Sequence, residues 1–276
     1  MFKIKFPLLL TLLLIVSKIS FSQSQKINDR TKIYTDKLGD DKVMLKVDND
    51  LSIPVSIKVD LFLENLASDK SETVSVIVPP KVSGRTIAVM QRIVPNRPYK
   101  CTFNWRIALG DTSRTPDLKY NYSYPYIKTQ SYRISQGPYG NFSHGSIFAY
   151  DFAMTIGTAI CAARDGVVAL VKGDSSIGGP DRKYIDDANF ITIYHQDGTL
   201  AYYYHLNKDG ITVKEGQFVK RGQLIGYSGN TGYSDGPHLH FEVTQSNISS
   251  DTKQWVNFKW EAEDENVLTI NTQQTK

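Results

Sequence analysis

Residues 236–243 read Gly-Pro-His-Leu-His-Phe-Glu-Val, and the alternation of polar and apolar side chains predicts a β-strand. Successive side chains of a strand point to opposite faces. One face therefore carries His238, His240 and Glu242, and the apolar side chains between them point into a core. Two imidazoles at this spacing lie roughly 7 Å apart. That separation suits one metal ligand beside one catalytic side chain, although two exposed histidines on a sheet are the ordinary alternative.

The same alternation recurs through the first half of the chain and predicts a β-sandwich-like domain. Five alternating runs are separated by Pro, Gly, Asn and Asp, and they span residues 42–47, 55–63, 73–78, 85–90 and 99–105. The polar, proline-containing stretch 111–117 then reads as a linker. No segment has a long helical period, so we expect little helix in a mostly β protein.

The second half of the chain is also rich in strand patterns and denser in glycine. Two Asp-Gly pairs, Asp165-Gly166 and Asp197-Gly198, each lie between apolar runs and predict hairpin turns. We therefore expect two domains, an accessory domain over residues 23–120 and a second β domain over residues 121–262. A polar tail follows over residues 263–276.

Composition and charge limit the possible function classes. The chain has 276 residues, of which 41% are hydrophobic and 22% charged, which excludes a largely disordered or collagen-like chain. The formal charge is +4, but Lys3, Lys5 and Lys18 contribute three of these charges, and residues 23–276 carry +1. A nearly neutral chain exerts no overall attraction on nucleic acid, so we expect no nucleic-acid partner.

The N-terminus has the pattern of a secretory signal peptide over residues 1–22. Two lysines precede an apolar run over residues 6–16, and the small-x-small sequence Ser20-Phe21-Ser22 follows. Cleavage after Ser22 would make Gln23 the first residue of the mature chain. The apolar run is shorter than the roughly 20 residues that span a bilayer. We therefore expect export to the periplasm or the cell exterior and wall, without stable membrane insertion.

All five histidines lie between residues 144 and 240. His144 lies in a loop, and Asp151 follows it within an apolar strand, where an acid is costly unless it is paired or bound to a metal. Two histidines and one aspartate with an open fourth position form a catalytic zinc set. His205 ends a strand and is expected to share a face with Tyr203. His195 is interpreted as a turn residue.

An ordered set of motifs carries a resemblance to a known family. The matching segments are Ser143-His144 with Tyr150-Asp151-Phe152, Gly157–Val168, Tyr203–Leu206, Gly216–Gly226, Ser228–Gly232 and His238–Glu242. Residues from about 130 to 246 resemble the lysostaphin-type (LytM-type) zinc metalloendopeptidases, which cut peptidoglycan peptides. One departure is the spacing of His144 and Asp151, since six residues separate them where many members have three.

The resemblance implies a small antiparallel sheet with an open groove, and a site within it. His144, Asp151 and His240 would bind Zn²⁺, and His205 and His238 would face the attacking water and the scissile carbonyl. The glutamate base of a His-Glu-x-x-His motif is absent, so proton transfer would fall to these two histidines. Their separate roles remain open.

Two side chains close in sequence to these histidines each have two possible interpretations. Glu242 is either a partner that orients a ligand imidazole or a solvated strand acid. Tyr203 either lines the groove or packs in the core.

Three alternatives remain beside this assignment. The fold could serve as a non-hydrolytic peptidoglycan-binding or hydrolase-activating module, although every expected ligand position is filled. Residues 213–225 resemble half of a biotinyl-lipoyl carrier hairpin, but only one half is present. The accessory domain could bind the wall, act as a spacer or cover the groove. The sequence predicts no oligomeric state, and we interpret Cys101 and Cys161 as unpaired thiols in separate units.

Overall fold

A computed structural model describes residues 21–250 and 252–261. All but the last two residues of the predicted signal peptide, and the whole predicted tail 263–276, lie outside the described residues. Among the described residues, no helix is both long and apolar enough to cross a bilayer.

The first half begins with a helix and continues as two small antiparallel sheets. Its elements are α1 (Phe21–Arg30), β1 (Thr31–Leu38), β2 (Lys42–Asn49), β3 (Val55–Glu64), β4 (Leu66–Ser68), β5 (Thr73–Val78), β6 (Val82–Arg92) and β7 (Lys100–Leu109). One sheet has the strand order β1-β2-β6-β4, and the other has the order β5-β3-β7. The prediction of a β-sandwich-like domain is confirmed: four of the five alternating runs lie within a strand, and the fifth begins one residue before β7.

The strands of the second half are β8 (Asn121–Tyr122), β9 (Ile134–Gln136), β10 (Ala149–Ala153), β11 (Ala159–Cys161), β12 (Gly166–Lys172), β13 (Gly178–Gly179), β14 (Phe190–Tyr194), β15 (Leu200–Tyr204), β16 (Leu206–Ile211), β17 (Phe218–Val219), β18 (Leu224–Ser228), β19 (Gly232–Tyr233), β20 (His238–Asn247), β21 (Thr252–Trp255) and β22 (Lys259–Trp260). They are built around one large antiparallel sheet with the order β17-β12-β14-β15-β20-β10-β9, and β21 pairs with β20 at its end. A 3-10 helix occupies Arg182–Asp187. The mostly β fold class is confirmed.

One of the two predicted Asp-Gly hairpins is present and the other is wrong. Strands β14 and β15 pair through the turn that contains Gly198, whose φ is +86°. Strands β11 and β12, on either side of Asp165, pair with other strands and not with each other. Gly166 serves close packing instead, because a Cβ there would lie 2.5 Å from the carbonyl oxygen of Tyr194.

The two halves share one hydrophobic core. Residues of the sandwich such as Leu45 and Met90 pack in the same buried cluster as Leu170, Phe190 and Tyr202 of the large sheet. Cross-strand partners in an antiparallel pair lie on the same face, and Tyr202 pairs with Glu242. The sandwich therefore packs on the face of the large sheet that also carries the histidines of β20.

Helix α1 lies between the sandwich and this face. Ile27 is buried in the shared core. The Nε2 of Gln23 donates to the Tyr204 hydroxyl at 3.1 Å, and Lys26 Nζ donates to the carbonyl of Val171 at 2.6 Å. At the other end of the helix, Arg30 forms an ion pair with Glu215 of the second half. The chain just after the predicted cleavage point is thus fastened to the large sheet.

Candidate metal centre

Three side chains converge on the sheet face next to the shared core. Asp151 on β10 stands opposite His240 on β20 in the strand register, which brings their side chains together. His240 Nδ1 lies 2.9 Å from Asp151 Oδ1, and His144 Nε2 lies 3.2 Å from Asp151 Oδ2 and 3.2 Å from His240 Nδ1. One donor atom from each residue lies within 4.8 Å of the other two. The predicted trio is therefore assembled, and the longer spacing is absorbed by the turn between His144 and β10.

The second nitrogen of each imidazole points away from the point of convergence. His144 Nδ1 lies 2.9 Å from the Gly137 carbonyl, to which it donates, so the lone pair of Nε2 faces the cluster. His240 presents Nδ1 to the cluster, and its Nε2 lies 3.9 Å from Glu242 Oε2. Histidine ligands of metals commonly have such an outer partner, which fixes the tautomer and the ring orientation. The donor set, two imidazoles and one carboxylate, fits a metal ion with one position left for another ligand.

Charge and burial act against each other in this cluster. Burial raises the pKa of Asp151, but the neighbouring His144 and His240 outweigh it and hold that pKa well below its usual range. Burial lowers the pKa of His240, but Asp151 and Glu242 outweigh it and raise the pKa to about 9. The cluster thus carries a carboxylate anion ready to bind a cation, and a metal would compete with a proton for His240.

His238 and His205 lie beside the trio, and their rings are 4.5 Å apart between centroids. His238 Nδ1 lies 2.8 Å from the carbonyl of Gly236, and His205 Nδ1 lies 2.7 Å from the carbonyl of Thr231. Each Nδ1 is a donor to a carbonyl, which leaves the Nε2 atoms free to face the site. His238 Nε2 lies 3.8 Å from Asp151 Oδ1. All five predicted site residues are therefore neighbours.

The position of the His205 side chain differs from the one that strand alternation predicts. The expectation that it shares a face with Tyr203 is wrong, because His205 has a φ of +63° and β15 ends at Tyr204. The left-handed backbone turns the imidazole toward His240, with ring centroids 6.1 Å apart. Burial, followed by the neighbouring His238 and His240, lowers the pKa of His205 to about 3. His205 is therefore a neutral base at ordinary pH.

Glu242 is a buried member of a charged network behind His240. Its Oε1 accepts from Lys253 Nζ at 3.1 Å, and its Oε2 accepts from Trp255 Nε1 at 2.7 Å. Burial raises the pKa of Glu242, but Lys253 and His240 outweigh it and lower the pKa strongly. Of the two readings of this residue, the solvated acid does not hold, since Glu242 is 4% exposed.

Other predicted side chains lie away from the trio. Tyr203 is fully buried, and its hydroxyl accepts from the amide of Ala163, so its role is packing. His195 is also fully buried at its turn, where Nδ1 lies 2.7 Å from the carbonyl of Asp165. Cys101 and Cys161 are unpaired thiols in different halves of the chain.

Two residues near the trio escaped the sequence analysis. The ring of Tyr204 lies 5.7 Å from the ring of His240 between centroids. Gln136 Nε2 donates to Asp151 Oδ2 at 2.9 Å. Gln136 belongs to a three-residue strand, which is too short to show any periodicity. The only signal for Tyr204 was its place beside His205.

The sequence matches the model of peptidase family M23 over residues 146–253. This range includes Asp151, His205, His238 and His240, and begins two residues after His144. Peptidoglycan DD-endopeptidase ShyA of Vibrio cholerae is 44% identical over 34% of this chain and 19% of its own length. Glycyl-glycine endopeptidase ALE-1 of Staphylococcus capitis is 35% identical over 49% of this chain and 34% of its own length.

Among solved structures, the catalytic domain of lysostaphin from Staphylococcus simulans is 34% identical. That alignment covers 50% of this chain and 89% of the lysostaphin domain, with a TM-score of 0.32. The chain thus spans 19% of the length of ShyA and 34% of the length of ALE-1. This chain belongs to peptidase family M23, as its resemblance to the lysostaphin-type enzymes predicted.

Proposed function

We propose that this chain is an exported zinc metalloendopeptidase that hydrolyses peptide bonds in peptidoglycan stem peptides or cross-bridges. The observation that carries the proposal is the convergence of His144 Nε2, an Asp151 carboxylate oxygen and His240 Nδ1 within 4.8 Å of one another. ShyA and ALE-1 are both named as endopeptidases, which supports the reaction class. The leader pattern over residues 1–22 supports export.

His144, Asp151 and His240 are the proposed zinc ligands. The bound ion would lower the pKa of a water molecule and polarise the scissile carbonyl. The chain contributes a buried carboxylate anion and two imidazoles whose second nitrogens are held by Gly137 and approached by Glu242. These outer contacts keep the donor atoms aimed at a common point.

His205 and His238 are the proposed proton-transfer groups. His205 is held neutral by burial and by the neighbouring imidazoles, and its Nδ1 donates to Thr231, so its Nε2 can accept a proton from the attacking water. His238 Nε2 lies 3.8 Å from Asp151 Oδ1, beside the proposed ligands. We assign to His238 the donation of a proton toward the carbonyl oxygen or the leaving amine.

The test is digestion of purified peptidoglycan by protein beginning at Gln23, with release of fragments followed by mass spectrometry. Two substrates are compared, one with direct cross-links between stem peptides and one with glycine bridges, because ShyA and ALE-1 are named for different bonds. We expect release from one of them, its loss with a chelator and its recovery on addition of Zn²⁺. The fragment masses identify the bond.

Two variants separate metal binding from catalysis. His240→Ala should lose both zinc and cleavage, whereas His238→Ala should retain one zinc per chain and lose cleavage by about 10²–10⁴-fold. Full activity of His238→Ala would refute its assignment. A wild-type protein that holds zinc and releases nothing from either substrate would favour the non-hydrolytic binding or activating module.

A further inference from the structure

Gln136 links the two segments that supply the first two metal ligands. Its Nε2 donates to Asp151 Oδ2 at 2.9 Å and to the Ser143 hydroxyl at 2.8 Å. Its Oε1 accepts from the backbone amides of Phe142 at 3.1 Å and Ser143 at 3.0 Å. A glutamine amide has two donor hydrogens and two acceptor lone pairs. All four are used, so the position of this side chain is fully determined by the two segments.

These contacts matter because the chain itself couples His144 and Asp151 weakly. His144 follows directly after Ser143 in a loop, and six residues separate it from Asp151. Strand pairing places Asp151 opposite both His240 and Gln136, but it does not fix the loop. The side chain of Gln136 spans this gap.

The hydrogen bond from Gln136 to Asp151 is also compatible with a bound ion. In the present arrangement His240 Nδ1 lies 2.9 Å from Asp151 Oδ1, and His144 Nε2 lies 3.2 Å from Asp151 Oδ2. A ligand imidazole turns a lone pair to its metal and donates nothing there, so neither nitrogen donates to Asp151 once a metal is bound. Gln136 Nε2 is an amide donor that no metal requires, and it can remain on Oδ2.

We propose that Gln136 is a positioning residue of the metal centre, which holds the Asp151 carboxylate and the His144 loop in one arrangement. The inference rests on the proposed zinc site and adds a residue that lies ten positions before the family match begins. Loss of a partner that orients a ligand typically lowers metal affinity by about 10–100-fold. We expect that range for Gln136→Met.

A second variant moves Gln136 without replacing it. A Cβ added at Gly140 would lie 2.6 Å from Cγ of Gln136, so Gly140→Ala must displace that side chain. The same Cβ would lie 3.1 Å from Oε1 of Gln136 and 3.1 Å from the carbonyl oxygen of Gly137, which it also crowds. Gly145 lies on the other side of His144 and has no atom within 4 Å of an added Cβ. Gly145→Ala is the matched control for Gly140→Ala.

The control for Gln136→Met is Gln223→Met. Gln223 is half-buried like Gln136, and its Oε1 accepts from the amide of Lys220 at 3.1 Å, so it holds a turn without contacting a metal ligand. Zn²⁺ affinity of each full-length mature variant is measured by competition with a chromophoric chelator. Thermal unfolding of the metal-free proteins is measured in parallel.

We expect Gln136→Met and Gly140→Ala to bind Zn²⁺ about 10–100-fold more weakly than the wild type, with metal-free melting temperatures close to those of their controls. Wild-type affinity in both variants, or an equal loss of affinity in Gln223→Met and Gly145→Ala, would overturn the inference. If Gln136→Met does not fold, the Zn²⁺ affinity of Gly140→Ala provides the test. If the wild type cleaves peptidoglycan and the variants bind Zn²⁺ as tightly as it does, only the role of Gln136 is refuted. If the wild type binds no Zn²⁺, the proposed function is refuted as well.

Discussion

Replacing Lys253 with methionine is expected to destabilise the protein by about 3–5 kcal/mol, because it leaves a buried carboxylate without its cation. The Lys253 and Glu242 side chains are 9% and 6% exposed, and their charged atoms are 3.1 Å apart. The ammonium also lies 3.9 Å from the centre of the Tyr202 ring. After the substitution, Glu242 keeps only the donor from Trp255 and the neighbouring His240.

The expected loss is a large fraction of the 5–15 kcal/mol that stabilises a typical domain. It is measured by urea unfolding of metal-free protein, with wild type and variant compared at the same pH. The second arm is the double variant Glu242→Gln/Lys253→Met, which removes both charges and keeps an acceptor for the Trp255 indole. We expect this variant to recover about 2–3 kcal/mol of the loss as coupling energy.

Stability and metal binding should respond differently to the double variant. An amide at position 242 no longer offers a carboxylate to Nε2 of His240, so zinc affinity should fall by about 10–100-fold even though stability recovers. A loss of less than about 1 kcal/mol in Lys253→Met would refute the reasoning, since that is the behaviour of a solvent-exposed pair. A double variant whose stability equals the sum of the single losses would refute it equally.

Two further predictions concern acid sensitivity and the shared core. Burial lowers the pKa of His195 from 6.5 to about 4, so its neutral form stabilises the fold above pH 6.5 and this contribution is lost as the pH falls toward 4. Between pH 6.5 and pH 4 the wild type should lose about 3 kcal/mol more of its unfolding free energy than His195→Gln does. Urea unfolding of both proteins across this pH range measures the difference, and an equal pH dependence in the two proteins would contradict the assignment. Deleting residues 23–120 should abolish cooperative unfolding, because exposing Leu170, Phe190 and Tyr202 costs about 1.5–3 kcal/mol for each side chain; a fragment that melts cooperatively would show that the second domain folds alone.

Most of the strands followed from side-chain alternation, because a strand that is buried on one face must place an apolar residue at every second position. Strand β5 has the predicted limits, and β3 extends one residue beyond its prediction. The metal trio was predictable for a related reason. Asp151 and His240 each lie on a strand whose apolar neighbours face the core, so both must point to the opposite face.

The features that the sequence did not predict depend on contacts between segments that are distant in sequence. Helix α1 is held by partners such as Tyr204 and Val171, more than a hundred residues away, and only two of its ten residues, Phe21 and Ile27, are apolar. His205 is turned by a single left-handed residue, which alternation cannot reveal. Gln136 is recognisable only when its neighbours in space are known.

The shared core bears on the three roles considered for the first domain. A spacer would fold as a separate unit with its own closed core, but here the sandwich and the large sheet bury side chains in one cluster. Tyr202 lies under the sandwich and pairs with Glu242, and Tyr204 contacts Gln23 of α1 and pairs with His240. The first half of the chain thus packs on the same face that carries the proposed zinc ligands. We therefore interpret it as one wall of the predicted groove, so that a peptide substrate must approach from the part of the face that α1 and the sandwich leave open.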